Sequence, residues 1–457
     1  MRQKTLFISL FHFLASRNLL TGEVFETLCA HPDLRLVLFV PHYKKDFFLQ
    51  HYKKDNVVIE GIDEAVVATW PFKFFKWLSF CLTPTYTIKL RLRERLYQNK
   101  SWRSYFKYAI SRLTTILLAR SKTIHRLVRK LDTIFSPNQF LNSYIDRYQP
   151  HALFVTDMFS EIEPLFIQGA KKRGVMTIGM VRSWDNTTTK GLMRALPDWL
   201  IVNNEIIKEE ASTFHDVKEE DIFVGGIPQY DLSFRDYHSS RKDFFERINV
   251  DPQKRLILLA PAGSLLSDTD WQFCEILKKA FSEKKLPDDL HFLIRNHPGC
   301  LPKLEKFEAD SHFTIEWPGT GFKNINYKNR ELSPDDARHL IDSLYHSQLV
   351  ISVNSTITID ALPFDKPQIM VEFDGWERRP YLNSVRRYHD EDHMRKYIII
   401  GAARITRSPE ELISWLNQYL NNPKLDSEKR KSALEEQIYF SDGHSGKRIA
   451  NFILKTF

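Results

Sequence analysis

The fold is decided by residues 152–226, which contain ALFVTD (152–157), PLFIQGAKKRG (164–174), VMTIGMV (175–181), WLIVNN (199–204), EIIKEEASTF (205–214) and DIFVGG (221–226). The short apolar runs end at Asp, Asn or Gly, which is typical of strands that are buried on both faces. The segments between them have the spacing of helices. This alternation predicts a parallel sheet covered by helices, as in a Rossmann-like domain.

The same alternation occurs along the rest of the chain and indicates two such domains. It opens with TLFISLF (5–11) and LRLVLFV (34–40), and a second series starts at RLILLAPAGS (255–264). A polar stretch between Asp231 and Asp251 separates the two series. A chain of 457 residues is also too long for one hydrophobic core of ordinary size. We predict an α/β protein whose two Rossmann-like domains, residues 1–240 and 241–457, face one another across a cleft.

Composition is that of a folded protein from a reducing compartment. Hydrophobic residues make up 43% of the chain and charged residues 27%, which is close to the average for folded proteins. Cys29, Cys81, Cys274 and Cys300 have no CxxC spacing, so neither disulfides nor zinc are indicated. The N-terminal run MRQKTLFISLFHFLA imitates a secretory signal only loosely, because His12 interrupts it. We expect a cytoplasmic protein.

The net charge of +8 comes from one segment, residues 71–130, which holds fifteen Lys or Arg and a single acid. Aromatic and aliphatic residues recur among the cations at helical spacing, which predicts a basic amphipathic helical insert. Peripheral binding to an anionic membrane is the sharper interpretation, and packed helices with a solvated cationic face are the plainer one. No nucleic-acid-binding motif is present. The residues expected at the membrane are Trp77, Arg91, Arg93, Arg95, Trp102 and Arg103.

Three strand-ending loops of the second series carry side chains suited to phosphate. The strand HFLIR (291–295) ends in arginine and is followed by Asn-His-Pro-Gly, and both cationic groups can donate hydrogen bonds. The strand QLVISVN (348–354) leads into Ser-Thr at the start of a predicted helix, which favours an anion, although both residues are also ordinary helix caps. A Gly-Ser pair follows LILLA (256–260). The candidate phosphate ligands are His297, Arg295, Ser355, Thr356, Gly263 and Ser264.

These motifs resemble a known group of enzymes. The strand-ending His-Pro, STITIDA (355–361) and KPQIMVEFDG (366–375) are similar to the second domain of GT-B-fold transferases that build bacterial surface polysaccharides. The teichoic-acid polyol-phosphate transferases and the bacterial sialyl- and capsule transferases belong to this group. TDMFSEIEP (156–164), SWDNTTTKG (183–191), PDWLIVNNE (197–205) and GGIPQYD (225–231) resemble bacterial surface-carbohydrate proteins. The resemblance implies that residues 241–457 bind the donor, with its phosphates on His297, Ser355 and Thr356.

The resemblance also implies a first-domain base that deprotonates the acceptor without a metal. The candidates, in order, are Asp157, Asp185, Glu161 and His12, and an alternative role for the two aspartates is helix capping. After the strand PQIMVEF, carboxylates could bind ribose or donor-sugar hydroxyls, and these are Glu372 and Asp374. Neither Asp335–Asp336 nor residues 389–393 have the spacing of metal ligands, and the latter are expected to form a solvated loop.

The leading hypothesis is a metal- and cofactor-independent glycosyltransferase, inverting in stereochemistry, that uses a nucleotide-sugar donor. Its acceptor would be a lipid-linked or growing surface glycan at the inner face of the cell membrane. A transferase of polyol phosphate from a CDP-activated donor has the same phosphate-binding residues and is the first alternative. A nucleotide-sugar epimerase and a non-catalytic, membrane-peripheral nucleotide- or glycan-binding protein are the others.

Overall fold

The computed structural model describes residues 3–235, 238–299, 303–322, 330–353 and 355–457. The chain divides into two compact units. Unit 1 comprises residues 1–231 and 444–457, and unit 2 comprises residues 232–443. None of the described helices combines the length and the apolar character needed to cross a bilayer.

Unit 1 is built on a parallel sheet of seven described strands in the order β3-β2-β1-β4-β5-β6-β7. The strands are β1 Lys4–Ser9, β2 Leu34–Pro41, β3 Val57–Ile62, β4 Ala152–Val155, β5 Met176–Met180, β6 Trp199–Val202 and β7 Ile222–Val224. Every residue of β4 is fully buried, because the sheet carries helices on both faces. In β5 a side chain at Gly179 would meet Met158, so glycine is required where the loop after β4 crosses the strand.

Helices connect the strands of unit 1 and cover its sheet. They are α1 Phe13–Leu20, α2 Glu23–Ala30, α3 Lys45–Tyr52, α4 Trp70–Cys81, α5 Tyr86–Gln98, α6 Trp102–Leu118, α7 Lys122–Phe135, α8 Asn142–Tyr148, α9 Glu163–Lys172, α10 Asn186–Thr189 and α11 Glu205–His215. The consecutive helices α4 to α7 lie between β3 and β4. They confirm that the basic segment is a helical insert in the first domain.

Unit 2 has a second parallel sheet, in which the described strands follow the order β10-β9-β8-β11-β12-β13. Its strands are β8 Arg255–Ala260, β9 Leu290–Arg295, β10 Phe313–Glu316, β11 Ser347–Ser352, β12 Gln368–Val371 and β13 Arg404–Thr406. Its helices are α12 Arg241–Arg247, α13 Asp270–Ser282, α14 Pro334–His346, α15 Ile357–Asp360, α16 Arg386–His389, α17 Asp392–Ile400, α18 Pro409–Asn421 and α19 Ser427–Gln437. The predicted α/β class with two Rossmann-like domains is confirmed.

The last helix, α20 Ser445–Thr456, packs on unit 1 rather than on the second domain to which the sequence assigned it. Asp231 accepts hydrogen bonds from the first two N–H groups of α20, at 2.9 Å from Ser445 and 2.7 Å from Gly446. Phe452 stacks on Phe223 of β7 with ring centroids 4.1 Å apart. The division therefore lies at residues 231/232 instead of 240, and the chain returns to its first unit at its end.

Candidate functional site

Each sheet contains one point at which the strand order reverses, and ligands of open α/β sheets bind beyond the carboxyl ends of the strands at this point. In unit 1, β1 pairs with β2 on one side and β4 on the other. In unit 2, β8 pairs with β9 and β11 in the same way. The predicted site residues follow these strands or their neighbours, and each unit is described by itself below.

The loop after β8 is fixed by a buried carboxylate. Asp270 accepts hydrogen bonds from the N–H groups of Ala262 and Gly263, at 3.0 and 2.8 Å. Burial raises the pKa of Asp270 to about 6, although both N–H bonds favour its charged form. Gly263 has φ of +82° and closes this turn. Its N–H therefore serves the turn instead of a phosphate, whereas the next residue, Ser264, is exposed.

At the end of β9, Arg295, a predicted phosphate ligand, already has a partner within unit 2, and its role toward phosphate stays a prediction. Its guanidinium is buried and forms an ion pair with Glu316 at 2.9 Å. Glu316 also accepts a hydrogen bond from His339 at 2.6 Å. Burial opposes the ionisation of Glu316, but the bond from His339 and the charge of Arg295 outweigh it and lower its pKa. The ion pair thus links β9 to β10, and Glu316 compensates the charge of Arg295.

His297 lies two residues beyond Arg295 and is exposed. Its Nδ1 accepts a hydrogen bond from the N–H of Gly299 at 3.1 Å. A neutral imidazole that accepts at Nδ1 carries its proton on Nε2. The turn Asn-His-Pro-Gly therefore holds the ring in a tautomer that can donate to an anion.

Ser355 and Thr356 follow β11, but the helix predicted after them is short. Helix α15 spans only Ile357–Asp360 and is succeeded by a 3-10 turn at Leu362–Phe364. Ser355 Oγ accepts from the N–H of Ile357 at 3.3 Å, which is an ordinary capping contact. A single turn supplies little helix dipole. An anion bound here would therefore depend mainly on the hydroxyls of Ser355 and of the exposed Thr356.

The carboxylates after β12 are occupied by structural contacts. Glu372 pairs with Arg407 at 2.8 Å, with His389 3.5 Å from its other oxygen. Asp374 is buried and accepts N–H bonds from Val385 at 2.8 Å and Arg379 at 3.2 Å. Asp374 therefore has backbone partners on both oxygens and Glu372 pairs with Arg407, and the binding of ribose or sugar hydroxyls by these two acids stays a prediction.

Residues 389–393 do not form the solvated loop expected from their charge. His389 ends α16, and Asp392 begins α17. His389, Glu391 and His393 are all buried, at 4%, 2% and 8% exposure. The dense run of histidines and acids is therefore part of the interior of unit 2.

In unit 1, Asp157 is buried directly after β4. It accepts from Arg182 Nε at 2.8 Å and from the N–H of Phe159 at 3.0 Å. Burial opposes the charge of Arg182, but the charge and hydrogen bond of Asp157, with further charge from Asp185, outweigh it and raise the pKa of Arg182. Asp157 is therefore part of a buried ion pair, and its rank as the first base candidate stays a prediction.

Two other base candidates also have structural partners. Glu161 is exposed and forms a surface ion pair with Lys76. His12 caps α1, with Nδ1 accepting from the N–H of Leu14 at 3.2 Å. Its imidazole stacks on Phe13. Neither environment prepares the side chain to deprotonate a hydroxyl.

Asp185 follows β5, the strand that pairs with β4. It is half-buried and lies at the start of α10. Its two carboxylate oxygens accept side-chain hydrogen bonds from Asn186 and Thr189, each at 3.2 Å. These contacts orient the carboxylate, and the charge of Asp185 also acts on Arg182. Of the two aspartates, Asp185 is the more accessible, because Asp157 is buried.

Sequence reasoning missed Glu163, the first residue of α9. It is fully buried, and its Oε1 accepts from Ser9 at 2.6 Å and from Thr156 at 3.2 Å, at the ends of β1 and β4. Its Oε2 has no hydrogen-bond partner among the described residues. Burial and the charge of Asp157 raise the pKa of Glu163 to about 8. Its position in the sequence indicates only an acid favoured by a helix N-terminus, so nothing there signals this environment.

Several of the predicted membrane residues make contacts within the helical insert. Trp77 donates its indole N–H to Ser111 at 3.2 Å, Arg91 pairs with Glu94 at 3.4 Å, and the Arg95 guanidinium lies over the Phe80 ring. Arg93, Trp102 and Arg103 are exposed. Trp102 also begins an apolar stripe with three- and four-residue spacing along the exposed face of α6. Its members are Trp102, Phe106, Ile110, Leu113 and Leu117.

Helix α7 turns one set of polar side chains toward the protein and exposes a set of apolar side chains. Asp132 is buried in a two-bond ion pair with Arg194, and Arg129 pairs with Asp216. The outward side chains are Leu127, Leu131, Ile134 and Phe135, each at least 36% exposed. Together with the α6 stripe they form a surface that we call the apolar insert face. A face of this extent indicates an interaction site.

Within the described ranges, no group of three or more His, Cys, Asp and Glu side chains is placed to hold a metal ion. The independence from metals and cofactors inferred from the sequence stays a prediction.

Solved structures of low sequence identity share the two-unit architecture. The Staphylococcus aureus MnaA–UDP structure has a TM-score of 0.57 and 10% identity, covering 99% of this chain and 96% of that one. The UDP-GlcNAc 2-epimerase from Neisseria meningitidis bound to UDP-GlcNAc has a TM-score of 0.55 and 12% identity, covering 99% and 100%. The wall teichoic acid polymerase TagF has a TM-score of 0.53 and 12% identity, covering 99% and 89%. These likenesses define the class of the protein, which is the GT-B fold.

Sequence comparison places the chain within that class. Residues 177–455 match the family model of CDP-Glycerol:Poly(glycerophosphate) glycerophosphotransferase, and the chain belongs to this family. Teichoic acid ribitol-phosphate polymerase TarL of Staphylococcus aureus (strain NCTC 8325 / PS 47) is 22% identical over 237 residues. This match covers 51% of the chain and 37% of TarL, so the chain matches well under half the length of this curated relative. The resemblance to surface-polysaccharide transferases is confirmed, and the polyol-phosphate alternative is better supported than sugar transfer.

Proposed function

We propose that this protein transfers a polyol phosphate from a CDP-activated donor to a hydroxyl of a teichoic-acid-like acceptor. The observation that carries the proposal is the family match over residues 177–455, which includes every candidate donor residue and Asp185. TarL and TagF, whose names state teichoic acid polymerisation, support the same class of substrate. The epimerase alternative is supported by likeness of fold alone.

In the proposed reaction the acceptor oxygen attacks the β-phosphorus of the donor. A new P–O bond forms, the P–O bond to CMP breaks, and the acceptor proton passes to a carboxylate. His297 would donate its Nε2–H to a phosphate oxygen and thereby stabilise the charge that collects on the CMP leaving group. Ser355 and Thr356 would add hydroxyl contacts to the same diphosphate. Asp185 would accept the proton.

The nucleotide product distinguishes this reaction from sugar transfer. Purified protein supplied with CDP-glycerol or CDP-ribitol and a polyol-phosphate primer is expected to release CMP. Transfer of a sugar from a UDP- or GDP-activated donor would release a nucleoside diphosphate instead, whereas a CMP-activated sugar would also release CMP and is distinguished by the donor that is consumed. If UDP-, GDP- or CMP-activated sugars are consumed and both CDP-polyols are left intact, the proposal is wrong.

Replacing His297 with alanine should lower transfer about 10- to 100-fold, because a hydrogen bond to a charged group is worth roughly 1.5–3 kcal/mol. The side chain is exposed, so the melting temperature should not change. Replacement of His31, an exposed histidine in unit 1, is the matched control and should leave the rate unchanged. Full turnover by the His297→Ala variant would remove His297 from the donor site.

Chelation should not abolish activity. We expect turnover with CDP-polyol to survive an excess of EDTA, because the leaving phosphate can be stabilised by side-chain donors instead of a bound cation. Rates measured before and after EDTA, and again after addition of Mg²⁺ or Mn²⁺, make the test. Loss with EDTA and recovery with either cation would overturn the expectation of a metal-independent enzyme.

We further propose that the apolar insert face binds an anionic membrane. Helix α7 keeps the ion pairs of Arg129 and Asp132 on the protein side, and an apolar partner would cover its exposed apolar side chains. Exposed cations flank the face, and they are Arg103, Lys107, Arg120, Lys122, Arg126 and Lys130. A surface that combines inserted aromatics with cations fits a bilayer of anionic lipid better than another copy of the same cationic face. Such docking would bring the enzyme to a lipid-linked acceptor at the cytoplasmic face.

A further inference from the structure

The short helix that follows Asp185, α10, is held by the helical insert. The hydroxyl of Thr85, at the start of α5, donates a hydrogen bond to the carbonyl oxygen of Thr188 at 2.7 Å. Both threonines are buried. The hydroxyl of Thr188 donates to the carbonyl oxygen of Asp185 at 3.2 Å, and its N–H donates to the same oxygen at 3.3 Å. Successive hydrogen bonds therefore join Thr85 to the backbone of Asp185.

The chain directly after α10 is also fitted to the insert. Gly191 has φ of +103°, and a Cβ at this position would lie 2.9 Å from Cα of Phe80. The N–H of Leu192 donates to the carbonyl oxygen of Ser79 at 2.9 Å. Ser79 and Phe80 belong to α4. The segment 185–192 thus contacts the insert at a second point, where only glycine allows the two backbones to approach.

A further set of contacts to α10 comes from α11. His215 Nδ1 accepts from the N–H of Met193 at 3.2 Å, so Nε2 carries the proton and donates to the carbonyl oxygen of Thr187, 2.8 Å away. Burial lowers the pKa of His215 to about 3, which keeps the ring neutral. Thr187 also donates its hydroxyl to Glu210. These contacts keep α10 attached to unit 1 when the bond from Thr85 is removed, so its loss should shift α10 without releasing it.

We propose that Thr85 is a positioning residue for Asp185, which makes the helical insert part of the machinery for proton transfer. Thr85 acts through the carbonyl of Thr188 and not by contact with the reacting atoms. A general base has to lie within hydrogen-bond reach of the hydroxyl that it deprotonates, so a small shift of α10 is enough to slow transfer. The inference rests on the proposed function, because it assumes that Asp185 accepts the acceptor's proton.

The test compares transfer by variants of the intact chain, measured as CMP release from CDP-polyol with a soluble primer. Thr85→Val has the same shape without the hydroxyl, and its kcat should fall about tenfold, because small misplacements of a catalytic group are costly. Thr85→Ser restores the hydroxyl and should restore kcat. The KM for CDP-polyol should not change in either variant. Thr115→Val should behave as the wild type, since the Thr115 hydroxyl donates to the carbonyl oxygen of Cys81 at 2.8 Å, a contact that lies within the insert and does not include α10.

A double variant separates positioning from a general effect on the fold. In an Asp185→Asn background, Thr85→Val should lower kcat by less than about twofold more, because residues that act as a unit are not additive. A structural role that does not act through Asp185 would give the same fold loss in both backgrounds.

The outcomes distinguish this inference from the proposed function. A wild-type protein that releases no CMP from either CDP-polyol would refute the proposed function, and an Asp185→Asn variant with full turnover would remove the base on which the inference depends. If the wild type is active and Asp185→Asn is impaired, full kcat in Thr85→Val, an equal loss in Thr115→Val or additive losses in the double variant overturn the role of Thr85.

Thr85 also caps α5, with its hydroxyl oxygen accepting from the N–H of Ile88 at 3.3 Å. Should Thr85→Val fail to fold because this cap is lost, Thr85→Asp takes its place in the test. Aspartate caps helices well, but an ionised carboxylate has no proton to donate to Thr188. Its kcat should fall as expected for valine, and a folded Thr85→Asp variant with full kcat would contradict the proposal.

Discussion

Replacing Asp185 with asparagine should lower the rate of transfer by about 10²- to 10⁴-fold, the contribution typical of a general base. Asparagine has the same shape and also caps helices well, so the turn at the start of α10 should persist. Its amide cannot accept the acceptor's proton. The measurement is CMP release at saturating CDP-polyol and primer, with the affinity for CDP determined separately and expected to stay unchanged.

Asp157→Asn provides the contrast for this experiment. Asp157 compensates the buried Arg182, and removing one partner of a buried ion pair typically costs about 3–5 kcal/mol of stability. We therefore expect Asp157→Asn to lower the melting temperature and Asp185→Asn to lower turnover without unfolding. A stable Asp157→Asn variant with no activity, beside an active Asp185→Asn variant, would return the role of base to Asp157.

The sheets were predictable from sequence because strands buried on both faces must be apolar throughout. ALFV (152–155) in β4 and LILLA (256–260) in β8 are recognisable for this reason. The return of α20 to unit 1 was not predictable, because it depends on Asp231 contacting residues more than 200 positions away. Contacts of this kind have no local signal in the chain.

The candidate site was predictable only as a set of strand ends. Arg295 and His297 are two residues apart and equally suited to phosphate by chemistry, yet Glu316 compensates the arginine while the histidine is exposed. The partner that decides between them comes from the adjacent strand β10. The same holds for Glu163, whose pKa is raised by burial and by the charge of Asp157.

The insert illustrates a related limit. Its amphipathic pattern was visible, but periodicity does not say which face of a helix meets the protein. Arg91 and Arg95 make contacts within the insert, whereas α7 buries His125 and Asp132 and exposes leucines. A sequence alone would assign the apolar face of α7 to the core. The membrane prediction therefore has to be tested on α6 and α7.

Replacing Trp102, Phe106 and Leu117 together with serine should reduce binding to anionic vesicles more than 100-fold. Burying one large apolar side chain is worth about 1.5–3 kcal/mol, so three partly inserted side chains contribute several kcal/mol, and each 1.4 kcal/mol is tenfold in affinity. The three side chains are exposed in the protein, at 73%, 64% and 64%, so stability should not fall. Co-sedimentation with vesicles that contain phosphatidylglycerol measures the loss.

In the matched control, serine replaces three exposed apolar residues outside the insert, and this variant should bind as the wild type does. The three residues are Leu49, Ile399 and Tyr439.

Binding by the wild type should weaken as salt is raised, because salt screens the flanking cations. The Debye length falls from about 10 Å at 0.1 M to about 3 Å at 1 M. The serine variant should retain the solution rate with a soluble primer but lose the rate with a lipid-linked acceptor in vesicles. Equal binding to neutral vesicles, or dimers that dissociate only in the serine variant, would assign the apolar insert face to a different partner.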